Sequence, residues 1–292
     1  MQAAENNSPG ILPPTYDVPE FRNLSYPAYR AELRALRVHL LSLQEWVVAE
    51  GKRVAIVLEG RDAAGKGRLS SGITHYLNPK FSRVVAQGTP TPQAMRNWLG
   101  RHYKLMPAES EIVVFDRSWY SRAMIQPAMG YCTMRQYHYF MHRVNDWEKS
   151  LADEGINLIK IYLSVSQEAQ DLRFKLRSTS DLQYWKYSLN DRKAAERWNL
   201  LTYFKERMFA VTSTDYAPWT IIGSDNKQQA LLNAIHCILQ RFGYQESGLI
   251  HPILQEEAAE NTEFLDLTVD GVLFTGMNRE QVAILDRIRI HE

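Results

Sequence analysis

The chain alternates between short, unbroken apolar runs and longer stretches whose apolar residues recur every three or four positions. Val54-Ala55-Ile56-Val57-Leu58, Ile112-Val113-Val114-Phe115 and the stretch Ile156 to Leu163 are of the first kind. Runs this short, bounded by glycine or charge, predict strands buried on both faces. Phe81 to Ala86 and Trp219 to Ile222 predict two more. Leu33, Leu36, Leu40, Leu43 and Val47 are of the second kind. They predict a helix opened by Ser25 and closed near Gly51, whose polar face, with Arg34 and Arg37, reads as solvated. Further helices are predicted over Leu69 to Leu77, Gln93 to Tyr103, Gln167 to Arg177, Asp191 to Phe209 and Lys227 to Phe242. Another, capped by Thr133, runs to about Ala152. Strands alternating with helices predict an α/β fold, a parallel sheet covered by helices on both faces in three layers.

The two ends break this rhythm. Residues 1–24 hold Pro9, Pro13, Pro14 and Pro19 and no periodicity, which predicts an arm, flexible or draped on a neighbour. After Tyr244 the charges turn acidic, with Glu256, Glu257, Glu260, Glu263, Asp266 and Asp270. Phe264 to Val269 alternates apolar and polar, Asp270-Gly271 is a hairpin signal, and Val272-Leu273-Phe274 supplies a return strand. A short helix over Gln281 to Ile288 completes the reading. The chain therefore divides into an arm (1–24), a core domain (25–244) and an appendage (245–292), with a partly ordered acidic tail as the alternative for the last.

Bulk properties narrow the class. A length of 292 residues accommodates one large α/β domain. The formal net charge of +1 argues against a nucleic-acid or membrane-surface partner. Cys132 and Cys237 have no metal spacing and read as free thiols in a reducing compartment. No apolar run approaches the roughly 20 residues of a membrane span, and the first residues lack the pattern of a secretory leader. The expectation is a soluble cytoplasmic protein.

The chemistry centres on Gly60-Arg61-Asp62-Ala63-Ala64-Gly65-Lys66-Gly67, between the first long strand and the helix after it. In the order strand, glycine loop with lysine, helix, the loop's N–H groups face phosphate oxygens, and the helix dipole and the ammonium add attraction. The P-loop pattern ends in Lys-Ser or Lys-Thr, whose hydroxyl holds magnesium. Here Gly67 stands at that place, so another group must serve the metal, and Asp62 within the loop is the first choice. A second motif, Asp116-Arg117-Ser118-Trp119-Tyr120-Ser121-Arg122, follows the strand ending at Phe115. An acid at the carboxyl end of a buried strand faces the ligand crevice of an open α/β sheet and serves magnesium in P-loop enzymes. Arg117 and Arg122 beside it are costly to bury without an anion. The third group is basic. Arg173 and Arg177 share a helix face with Lys175 near them, followed by Trp185, Lys186, Ser188, Asp191, Arg192, Lys193 and Arg197. Asp191 is placed to cap the next helix. Two basic helices flanking a hinge describe a lid that closes over phosphates.

With these residues in view the chain resembles the polyphosphate kinase 2 family of P-loop kinases, over roughly residues 27–244. The matching segments are Glu59 to Gly67, Asp116 to Tyr120, Met129-Gly130-Tyr131-Cys132-Thr133, and Trp185-Lys186 with Ser188 and Asp191. Leu43-Gln44-Glu45-Trp46 leading into Gly51-Lys52-Arg53-Val54 fits as well. The resemblance implies a thymidylate-kinase-like fold with a helical lid over about residues 167–209. It implies that Lys66 grips the transferring phosphoryl group and that Asp62 and Asp116 position Mg2+, with Mn2+ as a substitute. Gly60, Arg61, Ala63, Ala64, Gly65 and Gly67 would cradle phosphate. Arg117 and Arg122 would meet the acceptor nucleotide or the transferring group. Arg173, Arg177, Lys186, Asp191 and Arg197 would form the lid that meets the polymer. It further implies a homo-oligomer, dimer or tetramer, of the subgroup acting on nucleoside diphosphates.

The implied activity is reversible phosphoryl transfer between inorganic polyphosphate and a nucleotide, ADP to ATP or GDP to GTP, with AMP as another possible acceptor. An ATP-dependent nucleotide kinase on the same fold and a non-catalytic polyphosphate-binding or partner protein are the alternatives. The chain also departs from the family pattern. It has Arg68-Leu69-Ser70-Ser71-Gly72 where relatives carry small residues and a Lys-Arg pair, Ser121 for an asparagine, and Leu189-Asn190 for Pro-Met. Of the family's Pro-Thr-Glu-Arg-Glu it keeps only Pro90-Thr91.

Overall fold

The computed structural model describes residues 10–16, 21, 24–86, 88, 90–182, 193–194, 196–242, 265–269 and 272–277. By internal contacts the chain divides into Met1–Tyr244 and Gln245–Glu292.

The first unit is built on a wholly parallel sheet. Its strands are β1 (Thr15–Tyr16), β2 (Arg53–Gly60), β3 (Ser82–Ala86), β4 (Glu111–Asp116), β5 (Ile156–Ser164) and β6 (Trp219–Gly223), in the order β1-β6-β5-β2-β4-β3. Every connection is a crossover through helix, as parallel pairing requires. The helices are α1 (Tyr26–Ala49), α2 (Lys66–Thr74), α3 (Pro92–Arg96), α4 (Trp98–Tyr103), α5 (Ile125–Met129), α6 (Met134–Asp153), α7 (Gln167–Thr179), α8 (Trp198–Thr212) and α9 (Lys227–Arg241). Side chains alternate across each strand. Ala55 and Val57 of β2 therefore join Val113, Phe115, Phe140, Val144 and Met208 on one face. Ile56 and Leu58 join Leu40, Leu43, Val47, Ile73 and Ile235 on the other.

Local chemistry sets most of the boundaries. Ser25 caps α1, with its hydroxyl accepting from the Ala28 N–H at 3.4 Å. Thr133 and Gln136 form a reciprocal capping box at the start of α6, so the predicted cap is the observed one. The single helix expected over Gln93 to Tyr103 is two. Asn97 leaves helical geometry at φ −114°, ψ 69° and turns its side chain to cap Gly100, restarting the chain as α4. Of the helix expected from Asp191, Lys193, Ala194 and Glu196 are helical, Arg197 is a turn, and α8 runs from Trp198. The start of the chain, expected as an arm, places Thr15 and Tyr16 in register with Thr220 and Ile221 as the sheet's edge strand. The short α5 and the 3-10 turn Trp119–Arg122 were not expected, because neither has an apolar period.

In the second unit β7 (Leu265–Val269) and β8 (Val272–Met277) pair antiparallel, as the alternation and Asp270-Gly271 signal predict. Glu256, Glu257, Glu260, Glu263 and Asp270 of the acidic run, and the helix expected over 281–288, lie outside the described residues.

Candidate phosphoryl-transfer site

Residues 60–67 connect the end of β2 to the first turn of α2, at the carboxyl edge of the sheet. The two ends of this loop require glycine. Gly60 has φ +147°, and a Cβ there would lie 2.6 Å from the Leu163 carbonyl oxygen of the neighbouring strand. Gly65 has φ +108° and leads directly into the helix. Ala63 holds φ 61°, a left-handed conformation uncommon for a residue with a side chain. The Lys66 ammonium is buried and donates to the Gly60 and Arg61 carbonyls at 2.8 and 2.9 Å, so it is drawn back across the loop it would serve. Burial, reinforced by Arg117, lowers its pKa, and Asp62, Asp116 and Glu59 oppose the shift.

Asp116 ends β4 beside β2, in register with Leu58. Its carboxylate explains the missing hydroxyl residue. A Cβ on Gly67 would stand 3.1 Å from Asp116 Oδ2, tighter than side chains normally pack, so a side chain there would press on the Asp116 carboxylate. Arg117 follows at φ 66°, a second left-handed non-glycine residue at this edge, and its guanidinium forms an ion pair with Asp62 Oδ1. Burial alone would lower the Arg117 pKa. Asp62, Glu59 and Asp116 outweigh it and hold the group charged. Asp62, Lys66, Gly67, Asp116 and Arg117 are therefore brought together. Asp62 and Asp116 are the two carboxylates able to hold a divalent cation here. Among the described residues no group of three metal-binding side chains forms.

The other expected site residues fall into different roles. Arg61 is buried. Its Nη1 donates to the Trp198 carbonyl at 3.2 Å, Nη2 to Thr202 Oγ1 at 2.5 Å, and its plane lies 3.6 Å from the Trp198 ring centroid. It ties the loop to α8 instead of facing phosphate. Arg173 corrects the lid reading more fully. It is buried, with Nη1 donating to Ala63 at 2.8 Å and Nη2 to Ser224 and Asp225 at 2.5 and 2.9 Å. Its charge is spent on loop carbonyls, because the face it shares with Gln170 packs under the P-loop. Gln170 Nε2 donates to the Asp62 carbonyl at 2.7 Å. Arg177 is partly exposed one turn further, and Arg197 is exposed with Nη1 donating to Ala128 at 2.8 Å. Lys186 and Asp191, with Trp185, Ser188 and Arg192, lie outside the described residues. Arg122 is buried apart from the loop. It lies 4.8 Å over the Trp98 ring and donates to the Met95 carbonyl at 3.2 Å, and its Nε has no partner among the described residues.

Several residues that position the site were not singled out. Glu59 is fully buried at the end of β2, and its Oε1 accepts both the Ser118 N–H and hydroxyl at 2.8 Å. Desolvation raises its pKa, with Lys66 and Ser118 pulling the other way. This pair staples the second motif to the first. Behind it, Lys160 and Glu148 form an ion pair at 2.8 Å with both side chains at 0% exposure. The Lys160 ammonium also donates to the Tyr120 hydroxyl at 3.0 Å and the Thr212 carbonyl at 2.7 Å, and Trp119 Nε1 donates to Glu148 Oε1 at 2.9 Å. A lysine inside the apolar run Ile156 to Leu163 was the signal available for it.

The model for the family described as polyphosphate kinase 2 matches residues 23–248. The chain belongs to the polyphosphate kinase 2 family. Among family relatives, a Pseudomonas aeruginosa protein named ADP-polyphosphate phosphotransferase is 43% identical over 224 residues, 76% of this chain and 74% of that one. A Mycolicibacterium smegmatis protein named GDP-polyphosphate phosphotransferase is 41% identical over 217 residues, covering 74% and 77%. Among solved structures, polyphosphate kinase 2 from Arthrobacter aurescens TC1 superposes with a TM-score of 0.72 at 26% identity, over 82% of this chain and 89% of that one. The P-loop kinase fold of the polyphosphate kinase 2 family is thus the fold seen here.

Proposed function

We propose that the protein is a magnesium-dependent phosphotransferase that moves a phosphoryl group reversibly between inorganic polyphosphate and a nucleoside diphosphate, ADP or GDP. One observation carries the reading: Lys66, Arg117, Asp62 and Asp116 converge on a glycine loop at a helix N-terminus. Two cations and two carboxylates around one phosphate cradle match what phosphoryl transfer demands, which is positioning and charge neutralisation. The relatives' names support polyphosphate as donor, and they divide between ADP and GDP as acceptor.

In this reading Lys66 leaves the Gly60 and Arg61 carbonyls and meets the transferring group. Arg117 holds Asp62 in place and neutralises the developing charge. Asp62 and Asp116 would hold Mg2+, or Mn2+ in its place, and a bound divalent ion supplies further neutralisation of phosphate oxygens. Arg122, with its unpartnered Nε, is available to the acceptor nucleotide. Arg177, Lys186 and Arg197 would meet polymer from the lid. We further infer, with the family, a cytoplasmic homo-oligomer, dimer or tetramer, whose chemistry resides in residues 25–244.

The test is a coupled assay with purified protein, Mg2+, long-chain polyphosphate and ADP, with GDP and AMP in parallel. ATP from ADP, and none of it from AMP, is the expected result. ADP formed from AMP would overturn the diphosphate assignment. Turnover with two nucleotides and indifference to polyphosphate would replace the reading with an ATP-dependent nucleotide kinase.

A further inference from the structure

The polar face of α1, expected to be merely solvated, lines a groove of about 610 Å3 with Arg30, Arg34, Arg37, Val38, Leu41 and Tyr76. The three arginines recur at i, i+4 and i+7 and so point the same way. Arg30 and Arg34 are exposed and Arg37 is half-buried. No ion pair among the described residues involves any of them, and no carboxylate lines the groove. The Arg37 guanidinium lies 4.9 Å from the Tyr76 ring centroid, while its Nε is buried with no partner among the described residues.

Such an arrangement works against the helix. Like charges one turn apart repel. Among the described residues no carboxylate offsets them, and Arg37 alone has an aromatic ring under its charge. An anion along the groove would meet all three guanidinium groups together. Val38 and Leu41 line the same groove and offer apolar surface to the arginine stems.

The groove lies on a route from the site. Tyr76 follows α2, whose first turn carries Lys66, so ten residues at ~1.5 Å each place the groove roughly 15 Å from the phosphate loop. Along the exposed side of α2 stand Arg68, Ser71 and His75, and the His75 ring packs 4.6 Å from Tyr76. We propose that Arg30, Arg34 and Arg37 form a remote subsite for a linear polyphosphate chain, gripping phosphates well away from the reacting end. This rests on the reading of the protein as a polyphosphate-using enzyme and adds a chain-length requirement: only a polymer long enough to pass from the loop to α1 gains from the groove.

The experiment compares the full-length protein with the triple variant Arg30→Gln, Arg34→Gln, Arg37→Gln, after circular dichroism and melting confirm equal folding. Apparent KM and kcat are measured for long-chain polyphosphate and for tripolyphosphate. Calorimetric binding of long-chain polyphosphate without nucleotide is measured in parallel. The expected result is a long-chain KM raised about tenfold with kcat unchanged, since each exposed ion pair contributes only a few-fold. The tripolyphosphate parameters stay as they were, and the difference shrinks at high salt. Direct binding weakens in step. Equal binding and equal long-chain KM in both proteins would overturn the subsite while leaving the activity intact. So would an equal change for the short and long donors. A change in oligomeric mass in the variant would instead mark the groove as a contact between copies, and overturns the proposal. If the wild type turns over no polyphosphate yet binds it through these arginines, the subsite stands and the activity reading falls.

Discussion

Replacing Lys160 by Met removes the one cation from a sealed core. Lys160 Nζ has three donors, and all are used, on Glu148 Oε2, the Tyr120 hydroxyl and the Thr212 carbonyl. In Lys160→Met, Glu148 keeps the Trp119 indole donor at 2.9 Å and the neighbouring Tyr120 hydroxyl, but its charge loses its ion-pair partner at 0% exposure. Breaking a buried pair from one side costs about 3–5 kcal/mol, because the remaining charge has neither counter-ion nor water. That is a large share of the roughly 5–15 kcal/mol by which domains are stable. Adding Glu148→Gln removes the stranded charge and keeps an acceptor for Trp119, so the double variant should recover about half of the loss or more. Urea unfolding followed by tryptophan fluorescence suits the measurement, since Trp119 and Trp219 both border the network. The effect should reach the site, because Trp119 and Tyr120 follow the Asp116-Arg117 turn directly, and kcat should fall in the single variant. A single variant within about 1 kcal/mol of wild type, or a double no better than the single, would refute the reasoning.

Other expectations concern the site and its surroundings. Lys66→Ala and Asp116→Asn should each lower kcat by about 10²–10³, as loss of one transition-state contact does; near-normal turnover in either would remove that residue from the site. Arg61→Lys should cost about 1–3 kcal/mol and speed hydrogen exchange over residues 198–202, because lysine cannot keep the stack on Trp198 and both hydrogen bonds. His102 is buried, its Nδ1–H donates to the Trp98 carbonyl at 2.8 Å, and desolvation brings its pKa down to about 4 from the usual 6.5. The unfolded chain therefore binds this proton first. The stability is present in full above pH 6.5 and is lost as pH falls toward 4, by about 3 kcal/mol at 1.36 kcal/mol for each of about 2.5 pH units. His102→Phe should flatten the pH dependence of the unfolding free energy by that amount between pH 7 and 4; an unchanged slope would show that His102 does not set it.

Local pattern accounts for the strands β2, β4 and β5, the order of strand and helix, the caps at Ser25 and Thr133, and the antiparallel pair of the second unit. These depend on period, on side chains that bond to nearby backbone, and on turn residues, all within a few positions. It also determined the centre of the site. A glycine loop with lysine after a buried strand, and an acid ending another, carry their meaning locally, and parallel pairing of β2 with β4 brings them together. The tertiary structure alone decided where the long cations go. Arg173 and Arg177 share a helix face in any reading, but only the packing of α7 under the loop commits Arg173 to the carbonyls of Ala63, Ser224 and Asp225. Arg61 likewise stands within the phosphate motif, yet the approach of α8 turns it to Trp198 and Thr202. Gly67 could be read as a missing hydroxyl, but only the position of Asp116 shows what a side chain there would press on. A charged side chain several ångströms long takes its role from whichever acceptors surround its end. Those acceptors stand from 51 to 141 residues away along the chain, which no local pattern records.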